Sequence, residues 1–90
     1  MEISQIEAFL ASSENGSFRR AAEALHISQP SLSARVYALE KELGVSLFHR
    51  MGRGVRLTEM GKTFLPYAER SMDSLRQGKG IIYNALNDTG

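Results

Sequence analysis

Three residues, His26-Ile27-Ser28, separate two stretches with helical apolar spacing, and no other feature so restricts how these 90 residues can fold. They fit a tight turn that drops Ile27 into the core. Upstream, Ser17 is placed to cap a short helix running to about Leu25, with Phe18, Ala21, Ala22 and Leu25 facing inward. The alanines on that face let a neighbouring helix approach closely. Downstream, Ser28 caps another helix, Pro30 sits in its first turn, where a missing amide hydrogen costs nothing, and Gly44 ends it. Leu32, Val36, Leu39 and Leu43 recur at spacings of 4, 3 and 4, a narrow arc that faces the core. Pro30, Ala34, Tyr37 and Lys41 fall opposite, flanked by Ser31 and Ser33. A short helix, a tight turn and a second helix with a polar, exposed start form a helix-turn-helix pattern. A helix start meant only to pack would carry acids to complement the dipole. The amide and hydroxyl groups from Ser28 to Ser33 instead donate and accept hydrogen bonds, which suits reading base edges in a groove.

Around this unit the chain divides simply. Ser4 and Glu7 have the spacing of a capping box, and Ile3, Ile6, Phe9, Leu10 and Ser13 share one face of a first helix from about Ser4 to Glu14. Asn15-Gly16 stops it. Leu47-Phe48-His49-Arg50 and Val55-Arg56-Leu57 are short alternations around Met51-Gly52-Arg53-Gly54, predicting a two-stranded hairpin with a glycine-flanked tip. It carries three arginines and no acid. Arginine projected from such a tip suits the negative potential of a minor groove, although a solvated hairpin with incidental charge has the same pattern. Thr58 caps a last helix to about Asn84 or beyond, interrupted only by Pro66, which costs one hydrogen bond and a mild kink. Phe64, Ala68, Ser71, Leu75, Gly78, Ile82 and Ala85 step by four and three along it, with Met72 and Leu86 widening the stripe. A domain this small cannot cover so long a stripe, which predicts a second copy, with Phe64, Ala68, Ser71, Met72, Leu75, Ile82 and Leu86 at the interface, although a frayed linker weakened by Gly78 and Gly80 is the alternative.

Charge and composition narrow the function. The formal net charge is only +1, but Asn15 to Thr58 holds seven basic residues against Glu23, Glu40 and Glu42, an excess of four. A basic centre between acid-richer ends points to a polyanion on one face. Arg19 and Arg20 sit near a helix start, where cations oppose the dipole, so phosphate contact is one reason for them and plain solvation another. With no cysteine there is no disulfide, thiolate site or thiol nucleophile. His26 and His49 have no partner at metal-ligand or triad spacing, and His26 reads as a turn residue. Gly78-Lys79-Gly80 lacks the rest of a phosphate-binding loop, and the serines lack a nucleophile elbow. The chain therefore reads as no enzyme, with no metal and no cofactor in this domain. Met1-Glu2-Ile3-Ser4 does not open a signal peptide and no segment has about 20 apolar residues, so a cytoplasmic chain without a membrane span is expected.

These residues together resemble the N-terminal domain of LysR-type transcriptional regulators. The likeness runs in register from Ile6-Glu7-Ala8-Phe9 through Gly16-Ser17-Phe18, Ala21 to Leu25, Ile27 to Ser33, Leu39-Glu40 and Leu43-Gly44-Val45. It continues in Leu47-Phe48-His49-Arg50, Arg53, and Leu57-Thr58 before Gly61. The resemblance implies a mainly α fold: a winged helix-turn-helix of three helices and a two-stranded wing over 1–58, then a linker helix over 59–90 that pairs in dimers. It implies sequence-specific binding of double-stranded DNA as a homodimer on an inverted repeat. The ligand-sensing domain of full-length members, where an inducer would bind, is absent from this chain, which looks like a DNA-binding fragment. Gln29, Pro30, Ser31, Ser33 and Ala34 fall in the reading turns of the recognition helix. Ser17, Arg19, Arg20, Arg35, Arg50, Arg53 and Thr58 are the expected backbone or minor-groove group. Ala34 departs from the arginine of several relatives, though its methyl suits a thymine methyl. The rival reading is a winged-helix module for protein contacts, since fold alone does not fix function.

Overall fold

The computed structural model describes residues 1–88. Four helices and one hairpin follow in the order α1 (Ile3–Asn15), α2 (Phe18–Leu25), α3 (Gln29–Leu43), β1 (Phe48–Met51), β2 (Gly54–Leu57) and α4 (Glu59–Asn87). The strands pair antiparallel, Phe48 opposite Leu57 and Met51 opposite Gly54.

α1 starts earlier than its sequence suggests. Glu2, not Ser4, is the N-cap, and its N–H donates to Gln5 Oε1 at 3.2 Å. Ile3 is left 55% exposed, while Ile6, Ala8, Phe9, Ala11 and Ser12 are buried. The single face expected for α1 is too narrow because α2, α3 and α4 all pack against this helix. Gly16, at φ 63°, ends α1 and Ser17 caps α2, its Oγ accepting from the Arg20 N–H at 3.2 Å. His26 turns the chain into α3 at φ 57°, left-handed without being glycine, and Ile27 packs half-buried against the core.

The core forms where α1 and α3 meet the base of the hairpin. Phe9, Leu32, Val36, Leu39 and Leu47 are fully buried. Phe9 lies between Phe48 and Phe64, at ring centroid distances of 5.5 and 5.4 Å, and Phe48 meets Phe18 edge-on at 5.6 Å. Such pairs contribute about 0.5–1.5 kcal/mol each beyond the area they bury.

Two polar residues then lock the wing to the helices. Glu40 is only 9% exposed, and one carboxylate oxygen accepts from Leu47 N–H at 2.7 Å, Phe48 N–H at 3.3 Å and the Ser46 hydroxyl at 3.3 Å. Thr58 donates its N–H to Leu47 O at 2.9 Å and its hydroxyl to Ser46 O at 2.7 Å, while its Oγ1 accepts from Gly61 N–H at 3.0 Å.

α4 runs uninterrupted through Pro66 for 29 residues, about 43 Å at the usual helical rise. The molecule measures 54 × 25 × 18 Å, so the distal part of this helix projects beyond the body. The apolar stripe expected to meet a second copy is divided as a result. Ala68 and Met72 are buried in the chain's own core rather than on an exposed face, while Phe64 is half-buried and packs on Phe9. Ser71 donates its hydroxyl to Ala68 O at 2.9 Å. Leu75, Ile82 and Leu86 are exposed, joined by Ile81 and Tyr83. The division falls where α1 ends: its last turn, Ser13 and Glu14, borders the same cleft as Asp73 and Arg76.

Candidate nucleic-acid interface

The first turn of α3 is held in shape by its cap. Ser28 Oγ accepts from the Ser31 N–H at 3.2 Å and its hydroxyl donates to Ser31 Oγ at 2.9 Å. Ser31 keeps its own hydroxyl hydrogen for an outside acceptor. Gln29, Pro30, Ser31 and Ala34 are exposed, Ser33 is half-buried, and no acid occupies the turn. Tyr37, 62% exposed, extends the same outer stripe by one turn.

Beside this turn lies an open groove of about 740 Å³ between the start of α2, Gln29 and the wing. Ser17, Arg19, Arg20, Arg50 and Arg53 line it together with Gln29, and no acidic residue does. The groove exists because the wing folds back onto the α1–α2 turn: Val55 N–H donates to Gly16 O at 3.0 Å. A Cβ at position 54 would stand 2.5 Å from Gly16 O, so this approach requires glycine.

The arginines differ in how they are held. Arg19 pairs with Glu23 at 3.2 Å on the exposed face of α2. Arg50 is held from two sides, its guanidinium carbon 4.9 Å from the Phe18 ring centroid and Nη2 3.6 Å from Glu40 Oε1. Among the described residues, Arg20, Arg35 and Arg53 make no ion pair within 4.0 Å. Arg35 is half-buried and lies outside the groove lining. Thr58 is also outside it, at the opposite end of the hairpin from the tip, with its hydroxyl both donating and accepting within the fold. Thr58 thus also acts as a structural clasp between the wing and α4. Sequence reasoning missed Glu40, although a signal was present: it continues the Leu32–Val36 row by four residues and so falls on the buried side.

Comparisons with known proteins agree on one family. Residues 3–62 match the family described as bacterial regulatory helix-turn-helix protein, lysR family. An HTH-type transcriptional regulator from the ibpB–leuC intergenic region of Azotobacter vinelandii is 44% identical over 88 residues, 98% of this chain and 61% of that protein. ClcR, an HTH-type transcriptional regulator of Pseudomonas putida, is 50% identical over 70 residues, 78% of this chain and 24% of that protein. The chain thus spans less than two thirds of the curated relatives it matches. Among solved structures, the CbnR DNA-binding domain in complex with DNA superposes with a TM-score of 0.87 at 37% identity, covering 96% of this chain and 99% of that one. The BenM DNA-binding domain on catB site 1 DNA gives a TM-score of 0.90 at 34% identity, covering 100% and 98%. With 3–62 of its 90 residues matching the family, and its helices and wing in the same arrangement, the chain belongs to the LysR family of bacterial regulatory helix-turn-helix proteins.

Proposed function

We propose that this chain binds double-stranded DNA sequence-specifically, as the DNA-binding part of a cytoplasmic LysR-type transcriptional regulator. The observation that carries the reading is the acid-free groove with four arginines beside the uncharged first turn of α3. The two parts divide the work, phosphate contacts positioning the protein and base contacts specifying the site. In this reading Gln29, Pro30, Ser31, Ser33 and Ala34 face the major groove. Ser17, Arg19, Arg20, Arg35, Arg50 and Thr58 meet the phosphate backbone, and Arg53 enters the minor groove. Residues 1–58 bind DNA, and 59–90 form the linker through which two copies pair on an inverted repeat. No catalysis or cofactor is assigned to this chain. The CbnR and BenM domains, solved in complexes with DNA, support this reading.

A salt titration with duplex DNA tests it. The logarithm of the binding constant should fall linearly with that of salt, by about 0.9 for each phosphate neutralised. No binding to any duplex at low salt would leave the fold without this function and favour a protein-contact module. Gln29→Ala should cost about 1–3 kcal/mol of discrimination at one or two base pairs, read by competition with single-base variants of the preferred site. An equal loss on random DNA would make Gln29 a backbone contact. Arg50→Ala should weaken binding to all sequences and shallow the salt slope by about one for each protomer. An unchanged slope would remove its phosphate role.

A further inference from the structure

Glu40 is an unexpected residue to find beside a polyanion site. It is the one acid of α3 drawn into the core, and its carboxylate reaches in two directions. One oxygen gathers the Ser46 hydroxyl and the amides of Leu47 and Phe48, the segment from which the wing rises. The other faces Arg50 Nη2 at 3.6 Å, while the Arg50 guanidinium lies over Phe18 of α2. The helix that carries the reading turn, the base of the wing and a groove arginine thus converge on one side chain.

We propose that Glu40 is a positioning residue for DNA binding, acting through Arg50: it sets the wing against α3 and aims the Arg50 guanidinium into the groove. The inference rests on the DNA-binding reading above. A guanidinium has five N–H donors in a rigid fork. The Glu40 contact involves one nitrogen, and the Arg50 side chain remains 53% exposed, so the rest of the fork is presented outward. Immobilising so long a side chain before binding lowers the entropy lost on the DNA. Held between Phe18 and Glu40, Arg50 has part of that freedom restricted before DNA arrives.

The sign of one substitution separates this role from simple electrostatics. Removing an acid near a polyanion should, by charge alone, tighten binding. Loss of positioning should weaken it. In the full chain, Glu40→Gln keeps an oxygen for the Leu47 amide but loses the charge that holds Arg50. Folding is verified by circular dichroism and by a melting temperature well above that of the assay. The variant is expected to bind duplex about three- to tenfold more weakly, the cost of ordering one long side chain anew. Its salt slope should fall to that of Arg50→Ala, and Glu40→Gln should have no further effect in the Arg50→Ala background. Unchanged or tighter binding, or an equal loss in both backgrounds, overturns the proposal. Should Glu40→Gln fail to fold, Arg50→Lys decides, because it keeps the charge but not the fork. Most of the Arg50→Ala loss is expected there, and binding like that of the parent overturns the clamp. A parent chain that binds no duplex overturns the DNA-binding reading itself, whereas a binding parent with indifferent variants overturns only this inference.

Discussion

Replacing Leu75 or Ile82 by glutamate is expected to leave a folded monomer that binds a two-half-site duplex about 10²- to 10⁴-fold more weakly, the range by which linking two binding modules exceeds one. The expectation follows from where α4 leaves the body. Up to Met72 its apolar stripe is covered by the chain itself, with Ala68 2% exposed and Met72 7%. Past Arg76 no other element of the described structure runs beside it, and Leu75 and Ile82 stand 52% and 64% exposed. Ile81 and Tyr83 flank them, also exposed. A contiguous apolar patch of this kind marks an interaction surface, and a second copy is the simplest occupant. Glutamate there puts a charge into the dimer seam while the position stays solvent-accessible in the monomer. The melting temperature of the wing and core should therefore hold while sedimentation shows the dimer lost. A variant that still sediments as a dimer would place the interface elsewhere on the chain.

The second large effect concerns stability. Gly61→Ala is expected to destabilise the fold by about 1–3 kcal/mol, the usual cost of overpacking, lowering the melting temperature by about 4 °C or more for a chain of this size. Gly61 is buried in the first turn of α4, where a Cβ would overlap the Leu47 carbonyl oxygen and stand 2.8 Å from Leu57 Cδ2. The same carbonyl accepts the Thr58 N–H, so it cannot retreat without loosening the clasp between wing and helix. Gly78→Ala on the same helix is the control: an added Cβ meets nothing within 4 Å. It should stabilise the chain by about 0.5–1 kcal/mol through helix propensity and a less disordered unfolded state. A Gly61→Ala variant that melts with the parent would mean that α4 can shift away from the wing at little cost.

Much of the architecture is legible in the residues because its causes are local. Ser17, Ser28 and Thr58 cap helices through donors within three positions of themselves. Leu32, Val36 and Leu39 share a buried face by period alone. The hairpin tip follows from the glycines either side of Arg53. Where local cues compete, they mislead: Ser4 and Glu7 have capping-box spacing, yet the pair that closes α1 is Glu2 and Gln5.

The candidate site was legible as a set of residues but not as a place. That Arg19, Arg20, Arg50 and Arg53 line one groove depends on the wing folding back to Gly16, a contact between residues far apart in sequence. Thr58 is tied to the loop before β1 by partners 11 and 12 positions away. By itself, the sequence determined the helices, the caps of α2, α3 and α4, the polar reading turn and the hairpin, since each rests on spacing within one or two turns. It carried the family in motifs spread along the chain. Only the tertiary structure decided that Glu40 is buried against Leu47 and Phe48, and that the α4 stripe is core as far as Met72 and surface beyond Arg76. The physical reason is common to both. A side chain's periodicity fixes which way it points, whereas what it meets depends on where the neighbouring element ends.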